Sequence, residues 1–149
     1  MKMKKLWLLW LSIAILFLSL NIYFSKQKYP VLPLPQQIES VDVIRADATL
    51  HFIYQNNEWK IKQQIAPRFG QWLEQLKIAC PIAYPLAEVN YSESASITLR
   101  FNGKDDWIFA DHNPYNQTHL LIHQQTAYLC NEQLKPRLAL PVQYWIEEN

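Results

Sequence analysis

The chain has 149 residues, of which 50% are hydrophobic and 18% are charged, and its formal net charge is +1. From position 30 onward, nine basic side chains stand against thirteen acidic ones, which is a net charge of −4. This length allows one domain, and the negative charge excludes the basic footprint of a nucleic-acid-binding protein.

The N-terminal segment has the pattern of a membrane anchor. Residues 1–5 hold three lysines and residues 6–24 carry no charge, close to the roughly 20 apolar residues that span a bilayer. We predict a cytoplasmic basic tip over 1–5 and an uncleaved transmembrane anchor over 6–25, because no small-residue cleavage site follows. A cleaved signal peptide is the alternative. The lysines predict a cytoplasmic N-terminus and an exported body, which is periplasmic in a Gram-negative bacterium.

Closely spaced prolines at 30, 33 and 35 predict an extended spacer over 26–37, followed by an exported domain over 38–149. In that domain "VDVIRA" predicts a strand, and "TLHFIYQNNEWKIKQ" predicts a hairpin turning at Asn56 and Asn57. The expected cross-strand pairs are Tyr54 with Trp59, Phe52 with Ile61, and Leu50 with Gln63. The alternation leaves His51, Lys60 and Lys62 on the solvated face.

The segment "PRFGQWLEQLKIAC" changes to helical periodicity, beginning near Pro67 and ending before Pro81. Its apolar stripe, with Trp72 as the largest member, predicts a helix across the sheet. "SITLRFNGKDDWIFA" predicts a second hairpin at Asn102-Gly103. Asp105 and Asp106 follow that turn. They could form a catalytic or cation site, but adjacent strand residues point to opposite faces, which favours a solvated hairpin end.

The tail "NEQLKPRLALPVQYWIEEN" predicts a short helix or turn, after which Trp145 and Ile146 pack back on the sheet. The predicted fold class is α+β: a mainly antiparallel sheet of hairpins with one packed amphipathic helix, plus the N-terminal transmembrane helix.

Five segments in this order resemble a bacterial family of membrane-anchored domains of unknown function: "NNEWKI", "FGQWLEQL", "SITLRF", "HLLIHQQTAYL" and "LALPVQYWIEE". Members of that family are exported and are sometimes found beside gliding-motility-type ABC transporter components. The resemblance covers residues 38 to 148 and centres on Trp59. It implies location and architecture, and it implies no catalytic residues.

The stretch "HNPYNQTHLLIHQQTAYLC" gathers the candidate metal ligands His112, His119, His123 and Cys130. On a helix, His119 and His123 would share one face at the spacing that zinc sites use. On a strand they would lie roughly 13 Å apart, too far for one ion. Alternating apolar residues favour a hairpin that turns at Gln124 and Gln125.

In that register His119 lies opposite Cys130, which leaves a Cys/His nucleophile pair as a third interpretation. His123 lies opposite Thr126. Cys80 and Cys130 could also form a disulfide in an exported domain, or they could be two small buried side chains. Trp107 is the tryptophan with the best case for an exposed sugar-stacking platform, since core packing is favoured for the others.

Because the chain lacks a glycine-rich phosphate loop, a nucleophile elbow and a Cys-x-x-Cys pair, we predict no cofactor and no catalysis. The predicted function is a periplasmic protein-interaction or accessory subunit of an envelope assembly. Its partners would be the bilayer, through residues 6–25, and envelope proteins. The alternatives are a periplasmic ligand- or metal-binding protein, and an envelope hydrolase that uses Cys130 and His119.

Overall fold

The computed structural model describes residues 10–19, 32–93, 95–110 and 118–147. Over these residues, nine strands form one sheet. The strands are β1 Ser40–Ile44, β2 Thr49–Gln55, β3 Glu58–Ile61, β4 Gln64–Ile65, β5 Ile82–Pro85, β6 Ile97–Phe101, β7 Asp105–Phe109, β8 Thr118–His123 and β9 Thr126–Asn131. The helices are α1 Pro67–Ile78, α2 Leu134–Leu138 and α3 Val142–Ile146, with a 3₁₀ turn at Leu86–Glu88.

The strand order across the sheet is β4-β3-β2-β1-β6-β7-β8-β9-β5, and every neighbouring pair is antiparallel. The predicted α+β class with a mainly antiparallel sheet and one packed amphipathic helix is therefore confirmed. At the centre of the sheet, β1 pairs with β6, and this is the one pairing there between strands that are distant in the sequence.

Residues 10–19 are helical. In the part of the chain that the structure describes, no helix has the length and the apolar character needed to span a bilayer. The basic tip and both ends of the predicted anchor, 6–9 and 20–25, lie outside the described residues, so the anchor stays a prediction.

The first hairpin forms largely as predicted, because Asn56 and Asn57 adopt positive φ angles of 55° and 63°, the conformation of a tight hairpin turn. Tyr54 pairs with Trp59 and Phe52 with Ile61, which confirms both predictions.

The predicted pairing of Leu50 with Gln63 is wrong. Lys62 and Gln63 also have positive φ angles, 49° and 67°, so the chain turns again after Ile61. The residues that follow this turn form the short edge strand β4.

The helix α1 begins at Pro67 and buries Phe69, Trp72, Leu73 and Leu76 against the sheet, as its periodicity predicted. Phe69 stacks on Phe52 of β2 with ring centroids 3.7 Å apart. Gly70 permits the close approach of the helix, since a Cβ at this position would lie 3.1 Å from Trp59 Cδ1. The predicted return of the tail is also confirmed, because Trp145 of α3 is fully buried.

Part of the predicted spacer packs on the domain. Residues 26–31 lie outside the described part, and residues 32–39 have no helix or strand. Within them Leu32 is buried in the main core, and Leu34 and Ile38 pack against that core. The packed domain therefore includes residues before the predicted boundary at 38.

Candidate functional site

The histidine-rich stretch forms a hairpin in its described part. His119 lies opposite Cys130 and His123 opposite Thr126, across a turn at Gln124 and Gln125. The strand interpretation is thus confirmed and the helical metal site is wrong. His112 lies outside the described residues. Among those described, no group of three or more His, Cys, Asp or Glu side chains is placed to hold a metal ion.

Cys130 is bonded to Cys80, and both cysteines are buried. The two cysteines therefore form the disulfide, and they are not two separate buried thiols. A bonded sulfur carries no thiolate, so in this state Cys130 can serve neither as a nucleophile nor as a metal ligand. His119 is buried beside it and lines a cleft of about 570 Å³ with Glu132 and Arg137.

His123 belongs to a polar cluster with Asp105 and Trp107, which we call the Asp105 cluster. Asp105 Oδ1 lies 2.8 Å from His123 Nε2, and Trp107 Nε1 donates to Asp105 Oδ2 at 2.9 Å. The imidazole of His123 stacks on the Trp107 ring with centroids 4.0 Å apart. Asp105 is therefore engaged in contacts although 30% of its side chain is exposed, whereas Asp106 is solvated as predicted. Fully buried Trp107 is not a stacking platform for sugars.

The Asp105 cluster joins two hairpins, since Asp105 begins β7 and His123 ends β8. Both carboxylate oxygens of Asp105 are engaged within the cluster, which is a partly buried network that links the two hairpins. Thr126 lies opposite His123 in register, and its side chain is hydrogen-bonded to Tyr128. Burial raises the pKa of the Tyr128 hydroxyl, so this hydroxyl stays protonated at neutral pH.

The two faces of the sheet differ. The inner face lies under α1 and α3 and carries the main core. On the outer face of β8 and β9, Leu120, Ile122 and Ala127 are buried beneath Leu86 and Val89.

Nothing comparable covers the described outer face of β2, β1, β6 and β7, where the side chains are half-buried or exposed. We call this half the open face.

A row of charged side chains crosses the open face. Asp42 on β1 lies opposite His51 on β2 and Arg100 on β6. The Asp42 carboxylate contacts His51 Nδ1. Asp106 on β7 completes the row and accepts two hydrogen bonds from Arg100, at 2.7 and 2.9 Å.

Hydrogen bonding by Arg100 lowers the pKa of Asp106, against a smaller opposing effect of burial. The same hydrogen bonding raises the pKa of Arg100. This pair is therefore ionised throughout the neutral range.

We expect a double-mutant cycle of Arg100→Gln and Asp106→Asn to give only a small favourable coupling at pH 7, because both side chains are partly exposed. The pKa of Asp106 is lower in the folded than in the unfolded state, so this stabilisation is present above about pH 4 and is lost as the pH falls through the folded-state pKa. Urea unfolding at pH 7 and pH 2 measures it. An unchanged coupling at pH 2 would contradict the ionic origin.

A groove adjoins the open face at the hairpin of β2 and β3, and its volume is about 490 Å³. His51, Lys60 and Lys62 line it together with Leu50, Ile53 and Ile61, and its remaining described lining consists of Thr and Gln. We call it the β2–β3 groove. It can receive a ligand that is both anionic and apolar.

Both edges of the sheet are poorly suited to pairing with another strand. The edge strand β4 has two residues. On β5, Leu86 N donates to Gln125 O, so by alternation Pro81, Ala83 and Pro85 direct their backbone groups to the free edge. Because proline has no N–H, Ala83 is the single backbone donor of these three residues. Prolines on an edge strand are a common protection against pairing with another chain.

Sequence reasoning missed Asp42, Arg100 and Asp106 as one group. The alternation in "VDVI", "ITLRF" and "DDWIF" places each of these three residues on the solvent-exposed side of its strand. This pattern pointed to the group, but it could not show that β1 and β6 are neighbours. The length of the predicted turn at Asn102-Gly103 was a second obstacle. A two-residue turn would pair Arg100 with Asp105, but the loop at 102–104 has three residues and pairs Arg100 with Asp106.

Comparison of the chain with protein-family models, with curated proteins and with solved structures finds no match. The resemblance to the membrane-anchored family of unknown function therefore stays a prediction.

Proposed function

We propose that this chain is a single-pass protein of the inner membrane whose periplasmic domain serves as a non-catalytic interaction or accessory subunit of an envelope assembly. The uncharged run over 6–24 supports the anchor. The Cys80–Cys130 disulfide supports export, because such bonds persist in oxidising compartments and are rare in the cytosol.

The observation that carries the interaction role is the open face. The inner face of the sheet is buried under helices, and the outer face of β8 and β9 is buried beneath Leu86 and Val89. The described outer side of β2, β1, β6 and β7 has no such cover. Because both sheet edges are poorly suited to strand pairing, this face offers a partner a broad uncovered surface among the described residues. Its fixed charged row suits selective docking, since charge complementarity mainly sets specificity and encounter rate.

In-cell photocrosslinking tests this role. A photoreactive residue in place of Thr98, which lies on the open face between Ile44 and Ile108, should give a few adducts of defined mass from intact cells. The matched control replaces exposed Glu74 on α1 and should give none. Arg100→Glu should abolish the Thr98 adducts, because it reverses the central charge of the row.

Adducts from position 74 with none from position 98 would contradict the proposal. Adducts from position 98 that persist unchanged in Arg100→Glu would contradict recognition by the charged row.

A further inference from the structure

The β2–β3 groove differs from the rest of the domain in charge. From position 30 onward the chain carries a net charge of −4, yet the described residues that line the groove include two lysines and a histidine and no carboxylate. Elsewhere Arg45, Arg68, Lys77 and Arg100 are each paired with an acid, while Arg137 donates to two glutamine side chains. Lys60 and Lys62 form no ion pair among the described residues, although Glu58 lies two positions before Lys60.

The His51 ring is held in place at this groove. Asp42 engages its Nδ1, which fixes the ring orientation, while 56% of the side chain stays exposed. The Nε2 atom makes no hydrogen bond to any described residue. The groove thus offers two lysine ammonium groups that can donate to an anionic oxygen, beside an oriented imidazole ring.

The two lysines lie in different parts of the hairpin. Lys60 is in β3, and Lys62 lies in the turn after Ile61, where its φ angle is 49°. The half-buried Ile53 lies opposite Lys60 and provides an apolar contact between the charged positions. Because Leu50, Ile53 and Ile61 also line the groove, it suits an acidic chain with apolar parts better than a compact inorganic anion.

We propose that the β2–β3 groove binds a segment of a partner protein that carries carboxylate and apolar side chains. This inference rests on the proposed interaction function and names the chemistry of the partner. The volume of about 490 Å³ lies within the range of roughly 300–1,000 Å³ of ligand pockets. Capture of an acidic motif by basic side chains is a recurring mode of peptide recognition.

Calorimetric titration of the purified full chain tests the groove with a synthetic peptide that contains Glu and apolar residues. We expect binding that weakens with salt and that falls at least about tenfold in Lys60→Gln/Lys62→Gln. The control Lys77→Gln/Lys104→Gln removes the same charge elsewhere on the surface and should bind as the wild type does. A peptide with Gln in place of Glu should not bind.

Two further probes separate other sources of anionic oxygen. Inorganic phosphate, or glycerol 1-phosphate as a lipid-headgroup analogue, would overturn the assignment if either bound as tightly as the peptide with the same dependence on Lys60 and Lys62. Equal weakening in the control variant, or no peptide binding, would also overturn it.

Failure of the groove assignment can be distinguished from failure of the proposed function. If Thr98 crosslinks persist in Lys60→Gln/Lys62→Gln while the peptide titration fails, then the open face binds a partner and the groove assignment is wrong. If the Thr98 crosslinks fail as well, the proposed function falls with it.

Discussion

Replacing both Cys80 and Cys130 by alanine is expected to lower the free energy of unfolding by about 4 kcal/mol. The cysteines are 50 positions apart, and a crosslink that closes a loop of this length removes entropy from the unfolded chain worth about 4 kcal/mol. The disulfide also ties the end of α1 to β9, next to the hydrogen bond from Asn131 N to Ala79 O at 3.0 Å. Small domains have total stabilities of about 5–15 kcal/mol, so losing the disulfide should remove a large part of the stability of this domain.

Urea unfolding of the full chain, followed by tryptophan fluorescence, measures this loss. The matched control is dithiothreitol, which should lower the midpoint of the wild type and leave the double alanine variant unchanged. In addition, the protein taken from cells should resist thiol alkylation until it is reduced. Coincident midpoints for oxidised and reduced protein would contradict the prediction, as would stoichiometric labelling without reductant.

Trp145→Ala is expected to destabilise the domain by about 3–5 kcal/mol, the usual cost of truncating a buried tryptophan. Trp145 is fully buried. Its ring meets Phe52 at 5.7 Å and Phe69 at 5.8 Å, both edge-on, which is a favourable aromatic geometry. The substitution would leave a cavity where α3, α1 and β2 meet, and it would detach the tail from the sheet.

Phenylalanine variants supply the control for this prediction. Trp72 Nε1 donates to Leu134 O at 3.1 Å in a buried setting, whereas Trp145 Nε1 has no hydrogen-bond partner in the described part of the chain. Both substitutions remove the same volume. Trp72→Phe should therefore cost about 1–3 kcal/mol more than Trp145→Phe, because it leaves the Leu134 carbonyl without that donor. Equal urea midpoints for the two variants would contradict this.

Both predictions concern the inner face, while the proposed partner binding concerns the outer one. The disulfide and the aromatic core hold the sheet rigid, and a rigid sheet keeps Asp42, Arg100 and Asp106 in register across three strands. Destabilising the core should therefore weaken binding only by unfolding the domain. Substitutions at Lys60 or Lys62 should change binding while leaving the urea midpoint nearly unchanged, because these side chains lie at the surface and form no ion pair among the described residues.

The histidine-rich hairpin shows how far local pattern reaches. Alternating apolar residues in "THLLIHQQTAYLC" were enough to predict β8, β9 and the pairing of His119 with Cys130, because side-chain alternation and turn position together set the register. The same pattern could not show that His123 would contact Asp105, which lies 18 positions earlier. That contact depends on the pairing of β7 with β8.

The sequence by itself determined β1, the hairpins β2–β3, β6–β7 and β8–β9, and the helix α1 with its buried stripe, since these follow from short-range periodicity and turn chemistry. The two edge strands β4 and β5 did not follow from it. Only the tertiary structure decided which of its polar residues would meet. The charged row requires β1 to pair with β6, whose residues are more than 50 positions away, and one residue in the loop at 102–104 determines whether Asp105 or Asp106 faces Arg100. Such contacts form between strands that no local interaction links, so their partners are set by the packing of the whole sheet.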